Sequence, residues 1–445
     1  MGIKVAKFGG SSLSAAEQFR KVRAIIAADP TRKYVIPSAP GKRDKDDFKV
    51  TDLLYKCHDL VQQQLPFAEI FGLISERYLT ICQQLGLTLD LKPELTAIEA
   101  KIASGASADY TASRGEYLNG RILAAYLDFA FVDAAAVICF DEQGKFDAEK
   151  TQEILGRELA RYPQAVIPGF YGATPDGRVQ TFSRGGSDIS GAIVARGVNA
   201  DLYENWTDVS GFLMADPRIV NNPKTINTIS YRELRELAYM GATVLHEEAI
   251  YPVREARIPI NIKNTNAPDA PGTLIVKDNG NIKSPGSITG IAGRKGFTII
   301  AIEKTLMHSE TGYARKLLSV IEDHGISFEH MPSGIDTISV VIADSQLNNK
   351  LDELVADIRR VCQPDAIEVF HDIALIATVG LGMAYTPGIA AKLFTALTGI
   401  NVRMIDQGSS EINIIVGIEN KDFEEAMRRI YAAFVPAEEN SVTNN

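Results

Sequence analysis

The chain has 445 residues, and at roughly 150 residues per domain that length points to two to four domains rather than one small binding module. Hydrophobic residues make up 45%, charged residues 23% and aromatics 8%, which excludes disordered, fibrous and low-complexity chains. With 46 Lys and Arg against 56 Asp and Glu the net charge is −10, so no general pull toward nucleic acid or an anionic membrane is expected, and bound anions must be held by local cations.

The elements then follow in chain order. Residues 3–7 read as a strand and lack the basic-then-apolar order of a signal peptide. Further strands are expected at 34–38, 129–132, 165–169 and 200–206, with helices between them at 15–28, 111–127, 148–161 and 188–198. Strands separated by helices predict an α/β sandwich on a largely parallel sheet. Ser14 followed by Glu17 has the form of a capping box for the first helix. The stretch 264–272 is rich in Asn, Pro, Ala and Gly, a character repeated at 283–286, and the interdomain linker is expected there. Beyond it lies an internal repeat: Gly312, Gly325 and Gly334 are matched by Gly388, Gly399 and Gly408. Each copy carries an apolar helix, a strand entered through Gly-Ile, and an alternating β run, at 337–342 and 411–416. The order βαββαβ describes a ferredoxin-like unit, present twice. The longest nearly apolar run, 373–384, is broken by glycine and shorter than the ~20 residues a membrane span needs. Cys57, Cys82, Cys139 and Cys362 form no C-x-x-C pair, so neither a zinc knuckle nor a disulfide framework is expected, and a reducing cytoplasm is.

Two loops have the composition of anion sites. Lys7-Phe8-Gly9-Gly10-Ser11-Ser12 joins the first strand to the first helix, where glycine backbone, free helical N–H groups and a full positive charge can meet a phosphate. The spacing is neither a Walker A loop nor a dinucleotide motif, and a plain tight turn has the same composition. Ser183-Arg184-Gly185-Gly186-Ser187-Asp188 is the second corner, with Asp188 either an N-cap or a functional acid. Two such corners on one sheet can face each other across its carboxyl edge. Lys42 to Val50 contains seven charged residues in nine and reads as a solvated excursion ahead of a closing lid.

Together with Ser113-Arg114-Gly115-Glu116, Trp206-Thr207-Asp208-Val209 and Ala215-Asp216-Pro217-Arg218, these segments occur in the order and spacing of the aspartokinases, and the chain resembles that family along nearly its whole length. The resemblance implies an amino-acid kinase fold, a three-layer αβα sandwich, over 1–280, followed by ACT domains at 295–370 and 371–440. It implies phosphorylation of the β-carboxylate of L-aspartate by ATP with Mg²⁺. Lys7 and Asp188 are then the catalytic pair, Asp188 orienting Lys7 or the metal. Lys7, Gly9, Gly10, Ser11, Thr207, Asp208, Phe212 and Arg218 bind ATP, and Ser38, Thr51, Glu116, Phe170, Arg184 and Ser187 bind aspartate; no direct protein ligand for the metal is assigned. Met307, His308, Ser309, Gly312 and Glu329 resemble the effector loop of lysine-inhibited members, with Asp336 nearby; Glu329 stands where the lysine-sensitive pattern has aspartate, so threonine stays open. A homodimer or dimer of dimers through the ACT domains is implied. Two departures stand out: Thr243 replaces a lysine that meets nucleotide in relatives, and Phe212 replaces a tyrosine. Other amino-acid kinases, acting on glutamate, a carbamate or a nucleoside phosphate, and an inactive amino-acid-binding regulator are the competing readings; a dehydrogenase half is not expected.

Overall fold

A computed structural model describes residues 2–183, 185–242, 245, 247–277, 288–407 and 411–435. Its contacts divide the chain into two compact units. The first is Met1–Phe212 with Thr225–Tyr231 and Val244–Gly280; the second is Leu213–Lys224 with Arg232–Thr243 and Asn281–Asn445. Two stretches of the expected 1–280 domain, 213–224 and 232–243, therefore pack with the C-terminal half.

The first unit opens with β1 (Lys4–Phe8), α1 (Ala16–Ala27) and β2 (Arg32–Pro37), close to the expected spans. The helices α2 (Val50–Gln62), α3 (Ala68–Leu85), α4 (Lys92–Ala103) and α5 (Ala108–Leu127) follow, then β3 (Ala130–Phe131), α6 (Ala134–Val137), α7 (Ala148–Leu159) and β4 (Ala165–Val166). A hairpin of β5 (Tyr171–Ala173) and β6 (Val179–Thr181) precedes α8 (Gly186–Gly197) and β7 (Leu202–Thr207). β8 (Thr228–Ser230), α10 (Glu247–Ala256), β9 (Ile260–Asn264) and β10 (Thr273–Val276) complete the first unit, while α9 (Tyr231–Tyr239), which lies between β8 and α10 in the chain, belongs from Arg232 onward to the second unit. The strands form one sheet in the order β3-β4-β2-β1-β7-β9-β10-β8, parallel except where β10 runs against β9.

Alternation along β1 sorts the layers, because successive strand residues face opposite sides of a sheet. Ala6 and Phe8 join a core with Phe19 and Val22 of α1, Leu54 of α2, Ile74 of α3 and Ile122 of α5. Val5 and Lys7 face the other way, where α8 contacts β1, β2 and β7 and packs between α7 and α10. The apolar residues of α1 recur on one stripe, Phe19, Val22, Ile25 and Ile26, as burial of one helix face requires.

Two local expectations are corrected here. Ala15, not Ser14, precedes α1, and no side chain caps that helix. The residues Gly10–Leu13 form a 3₁₀ turn, and the Ser14 hydroxyl completes that turn by donating to the Ser11 carbonyl at 3.3 Å. The stretch 264–272 is not a linker but the connection between the antiparallel strands β9 and β10. The second stretch, 283–286, lies outside the described residues.

The second unit holds β11 (Gly290–Glu303), α11 (Tyr313–Asp323), β12 (Thr337–Ala343), α12 (Asp344–Leu347), α13 (Leu351–Cys362), β13 (Ala366–Val379), α14 (Ile389–Ala396), β14 (Val402–Asp406), β15 (Asn413–Glu419) and α15 (Phe423–Phe434). Two of the three glycine pairs match at the level of backbone: Gly312 and Gly388 precede α11 and α14 at φ 83° and 89°, and Gly325 and Gly399 follow those helices at φ 63° and 85°, while Gly408, the counterpart of Gly334, lies outside the described residues. These are left-handed conformations that glycine adopts without strain.

The pairing nevertheless crosses the boundary expected at 370/371. Residues 290–295 of β11 pair with 374–379 of β13, and 297–303 pair with 366–373. The order β12-β11-β13-β15-β14 thus contains two ferredoxin-like units sharing two long strands. The C-terminal unit is completed by 290–295, which precede the N-terminal unit in the chain, so one module is nested within the other. Among the described residues no helix is long and apolar enough to cross a membrane.

Candidate active site

Lys7 lies near the carboxyl end of β1, opposite Asn205 of β7 in the parallel register. Its side chain is 9% exposed and its Nζ stands 2.6 Å from Asp188 Oδ1. Asn205 Nδ2 donates to that same oxygen at 2.9 Å, and its Oδ1 lies 3.4 Å from Lys7 Nζ. Asp188 is not the cap of α8: Gly185 precedes the helix at φ 72°, and the Asp188 carboxylate is spent on the lysine and the amide. A charge-assisted bond of this kind fixes the direction of the ammonium as well as its position.

After Lys7 the backbone turns sharply. The Gly9 N–H donates to the Trp206 carbonyl at 2.9 Å, so Gly9 serves the cradle through its shape and not through its donor. The Gly10 and Ser11 N–H groups open the 3₁₀ turn, where no carbonyl of the turn itself can accept from them. Gly10 must be glycine on packing grounds: a Cβ there would stand 2.9 Å from the Ala39 carbonyl oxygen and 3.1 Å from the Gly41 nitrogen.

The carbonyl end of β2 supplies the neighbouring wall. Ser38 N–H donates to the Phe8 carbonyl at 3.0 Å, and the Ser38 carbonyl accepts from Asn119 Nδ2 at 2.6 Å. Ala39 N–H donates to Glu116 Oε1 at 3.1 Å, while Glu116 Oε2 is buried with no hydrogen-bond partner among the described residues. Glu116 is 5% exposed, and burial pushes its carboxyl up to about 8, against the opposing pull of the Ala39 N–H and the Arg114 charge. An unpaired buried carboxylate oxygen is costly unless a ligand completes it. Thr51 sits in the first turn of α2, half-buried.

Phe170 and Ser187 come together on the α8 side. Phe170 has φ 79°, an uncommon conformation for a bulky residue that marks stored strain. It is held there by its N–H donating to Ser190 Oγ at 2.9 Å and its carbonyl accepting from Phe182 N–H at 2.9 Å. A Cβ on Gly169 would stand 2.5 Å from the Ser187 side chain, so Ser187 packs directly on this loop.

Other expected residues fall elsewhere. Phe212 is 1% exposed and belongs to the core of the first unit, so its ring offers no surface to a nucleotide here. Arg218 belongs to the second unit, with its side chain 88% exposed and bound to Asp216 at 2.6 Å. Thr207 ends β7, half-buried, and the exposed Asp208 follows it, with the Thr207 hydroxyl donating to Asp208 Oδ1 at 3.2 Å. Arg184 and Thr243 lie outside the described residues. Sequence reasoning missed Asn205, Ser190 and Asn119; the signal for Asn205 was a polar residue inside a strand otherwise buried on both faces.

In the second unit Met307, His308 and Ser309 form a 3₁₀ turn, with Met307 buried and His308 exposed, 3.7 Å from Asp336. Gly312 starts α11. Glu329 is already engaged: Tyr239 of α9 donates its hydroxyl to Oε2, and Arg294 Nη2 lies 3.5 Å from Oε1.

A parallel α/β sheet with a glycine cradle, a lysine–aspartate pair and a buried acid beside it defines a small-molecule phosphotransferase class, and comparison agrees. The amino acid kinase family matches residues 2–264, and an ACT domain matches 376–434. The chain belongs to the amino acid kinase family, among its aspartokinases. Aspartokinase 3 of Bacillus subtilis is 37% identical over 97% of this chain and 98% of its own length. The crystal structure of Clostridium acetobutylicum aspartate kinase is 59% identical, with a TM-score of 0.92 over 97% of this chain and all of that one. Aspartokinase III of E. coli, solved in complex with lysine and aspartate, is 23% identical with a TM-score of 0.74 over 97% and 99% of the two chains, a likeness of fold.

Proposed function

We propose that the chain transfers the γ-phosphoryl group of ATP to the β-carboxylate of L-aspartate, giving 4-phospho-L-aspartate, the entry to lysine, threonine and methionine. The observation that carries this reading is Glu116: a buried carboxylate, aimed by the Ala39 N–H, with one oxygen left for a ligand ammonium. The α-ammonium of aspartate fits that oxygen, and Arg184 is assigned its α-carboxylate.

The β-carboxylate is ionised at neutral pH and is itself the nucleophile, so no general base is required. That accords with Asp188 being committed to Lys7. One P–O bond forms at the β-carboxylate as the bond to ADP breaks, and the work left to the protein is alignment and neutralisation of negative charge. Lys7 supplies the charge, and the Gly10 and Ser11 N–H groups the cradle. Mg²⁺ enters on ATP as part of the substrate, with Thr207, Asp208 and Arg218 assigned to the nucleotide side.

The regulatory half is assigned feedback inhibition by lysine at the 307–312 loop, with threonine the alternative, in a homodimer or dimer of dimers built on the ACT modules. The expected location is the cytoplasm, with no nucleic-acid or membrane partner. ADP release measured with ATP, Mg²⁺ and L-aspartate tests the activity. Turnover with L-glutamate, carbamate or a nucleoside monophosphate in place of aspartate would overturn the substrate; added lysine, threonine or both tests the effector.

A further inference from the structure

Arg77 is a buried guanidinium on α3, 7% exposed, that gathers three separate stretches of chain. Its Nη1 donates to the Ser14 carbonyl at 3.3 Å and to the Gly41 carbonyl at 3.1 Å, and its Nη2 donates to Asp47 Oδ2 at 2.5 Å. Ser14 closes the turn that carries the phosphate cradle. Gly41 presses against that cradle: its N–H donates to the Gly10 carbonyl at 2.9 Å, and a Cβ on it would stand 2.7 Å from the Gly10 carbonyl carbon. The arginine thus braces from behind both loops that meet at Gly10.

Asp47 ties the charged stretch into the same knot. The Pro40 carbonyl accepts the Val50 N–H at 3.1 Å, closing residues 41–49 into a strap. Within it Asp47 accepts from the Arg43 backbone N–H and Nε at 2.9 Å and from Arg43 Nη2 at 3.0 Å. Arg43, Asp44, Lys45 and Asp46 are exposed, yet the Arg77 and Asp47 side chains are 6% and 9% exposed. Desolvating an ion pair is costly, and a solvated excursion has no use for one. The strap leads from Ala39, whose N–H aims Glu116, into α2 with Thr51.

The geometry points to Arg77 as a positioning residue for the phosphate cradle, and to Asp47 as the latch that holds the 42–49 strap in register with the amino-acid side of the site. This rests on the kinase reading of that site. Arg77→Lys keeps the charge but cannot reach three acceptors as a planar fork does. Asp47→Asn leaves both carbonyls bonded to Arg77 and loosens only the strap.

The test uses the full chain with three readouts: ADP-release kinetics, calorimetric titration with Mg-ADP, and trypsin cleavage at Lys42, Arg43, Lys45 and Lys49 without ligand. For Asp47→Asn the strap is cut about fivefold faster and KM for aspartate rises about fivefold, while Mg-ADP affinity stays within about twofold of wild type. For Arg77→Lys, Mg-ADP binding weakens about tenfold and kcat falls with it. An Asp47→Asn strap cut at the wild-type rate with KM unchanged overturns the latch, and an Arg77→Lys protein that melts earlier but binds Mg-ADP normally overturns the brace. If Arg77→Lys does not fold, the Asp47→Asn result decides. Absence of aspartate phosphorylation by the wild-type chain would strike the substrate reading alone, because the Mg-ADP and trypsin readouts do not need it.

Discussion

Tyr239 donates its hydroxyl to Glu329 Oε2, so the acid assigned to the effector loop is held by a helix that the family match counts with the catalytic segment. Burial first, and then the Glu329 charge, raises the Tyr239 phenol to about 12, so it stays a donor across the physiological range. An effector ammonium that claims Glu329 must displace this phenol. Tyr239→Phe removes the competitor, and the lysine concentration for half inhibition is expected to fall about tenfold to a hundredfold, the worth of one hydrogen bond to a charged group. Inhibition curves on wild type and variant check this; an unchanged or higher value rejects the competition.

Lys7→Ala removes the charge aimed by Asp188 and Asn205 and is expected to lower kcat by about a thousandfold or more. Asp188→Asn keeps the size of the group but gives up the ion pair, and should lower kcat by about tenfold to a hundredfold. Single-turnover ADP release with saturating substrates measures both, with circular dichroism to show that the fold is retained. Wild-type kcat in Lys7→Ala would remove the assigned role.

On the proposed assignment, Glu116 is expected to make aspartate binding depend on pH. Its folded carboxyl titrates near 8, above its ordinary value of 4.5, so the free enzyme holds a proton there at neutrality. The proposed contact with the α-ammonium requires the ionised form, and kcat/KM for aspartate is then expected to rise with pH up to about 8 and then level. Stability runs the other way: a raised folded value contributes stability that is fully present below 4.5 and is lost as pH rises through 8. Glu116→Gln should abolish that decline in thermal midpoint between pH 5 and 8 while cutting kcat/KM for aspartate by about tenfold to a hundredfold. A variant whose melting profile keeps the wild-type slope would assign the pH dependence to another group.

Gly10→Ala forces a methyl into contact with the backbone of Ala39 and Gly41, atoms that cannot rotate away. A loss of about 1–3 kcal/mol in stability and a clear rise in KM for ATP are expected. Denaturant titration and kinetics measure the two effects separately.

What the sequence disclosed and withheld follows the range of the interactions concerned. The glycine corners and the opening strand, helix and strand were readable because turn chemistry and periodicity are local. Glu116 was an ordinary helix carboxylate until its family pattern was noticed; the Ala39 N–H that aims it stands in the loop after β2, 77 residues away in sequence. The 264–272 stretch misled because a hairpin connection and a linker share a composition, and only the pairing of Thr273 with Ile262 distinguishes them. Phe212 kept its motif position but lost its surface to tertiary packing. Asn205 was legible in principle, since an amide in a buried strand needs a partner, and Asp188 is that partner.

The shared strands of the regulatory half bear on how the protein is made. Residues 290–295 leave the ribosome early, but their partners at 374–379 follow some eighty residues later, and those in turn require β15 beside them. Residues 290–295 must therefore wait, unpaired, until 374–379 are made, whereas 297–303 meet their partners at 366–373 first, so a premature stop codon between 374 and 412 should cost the C-terminal module and leave 290–295 as an open edge.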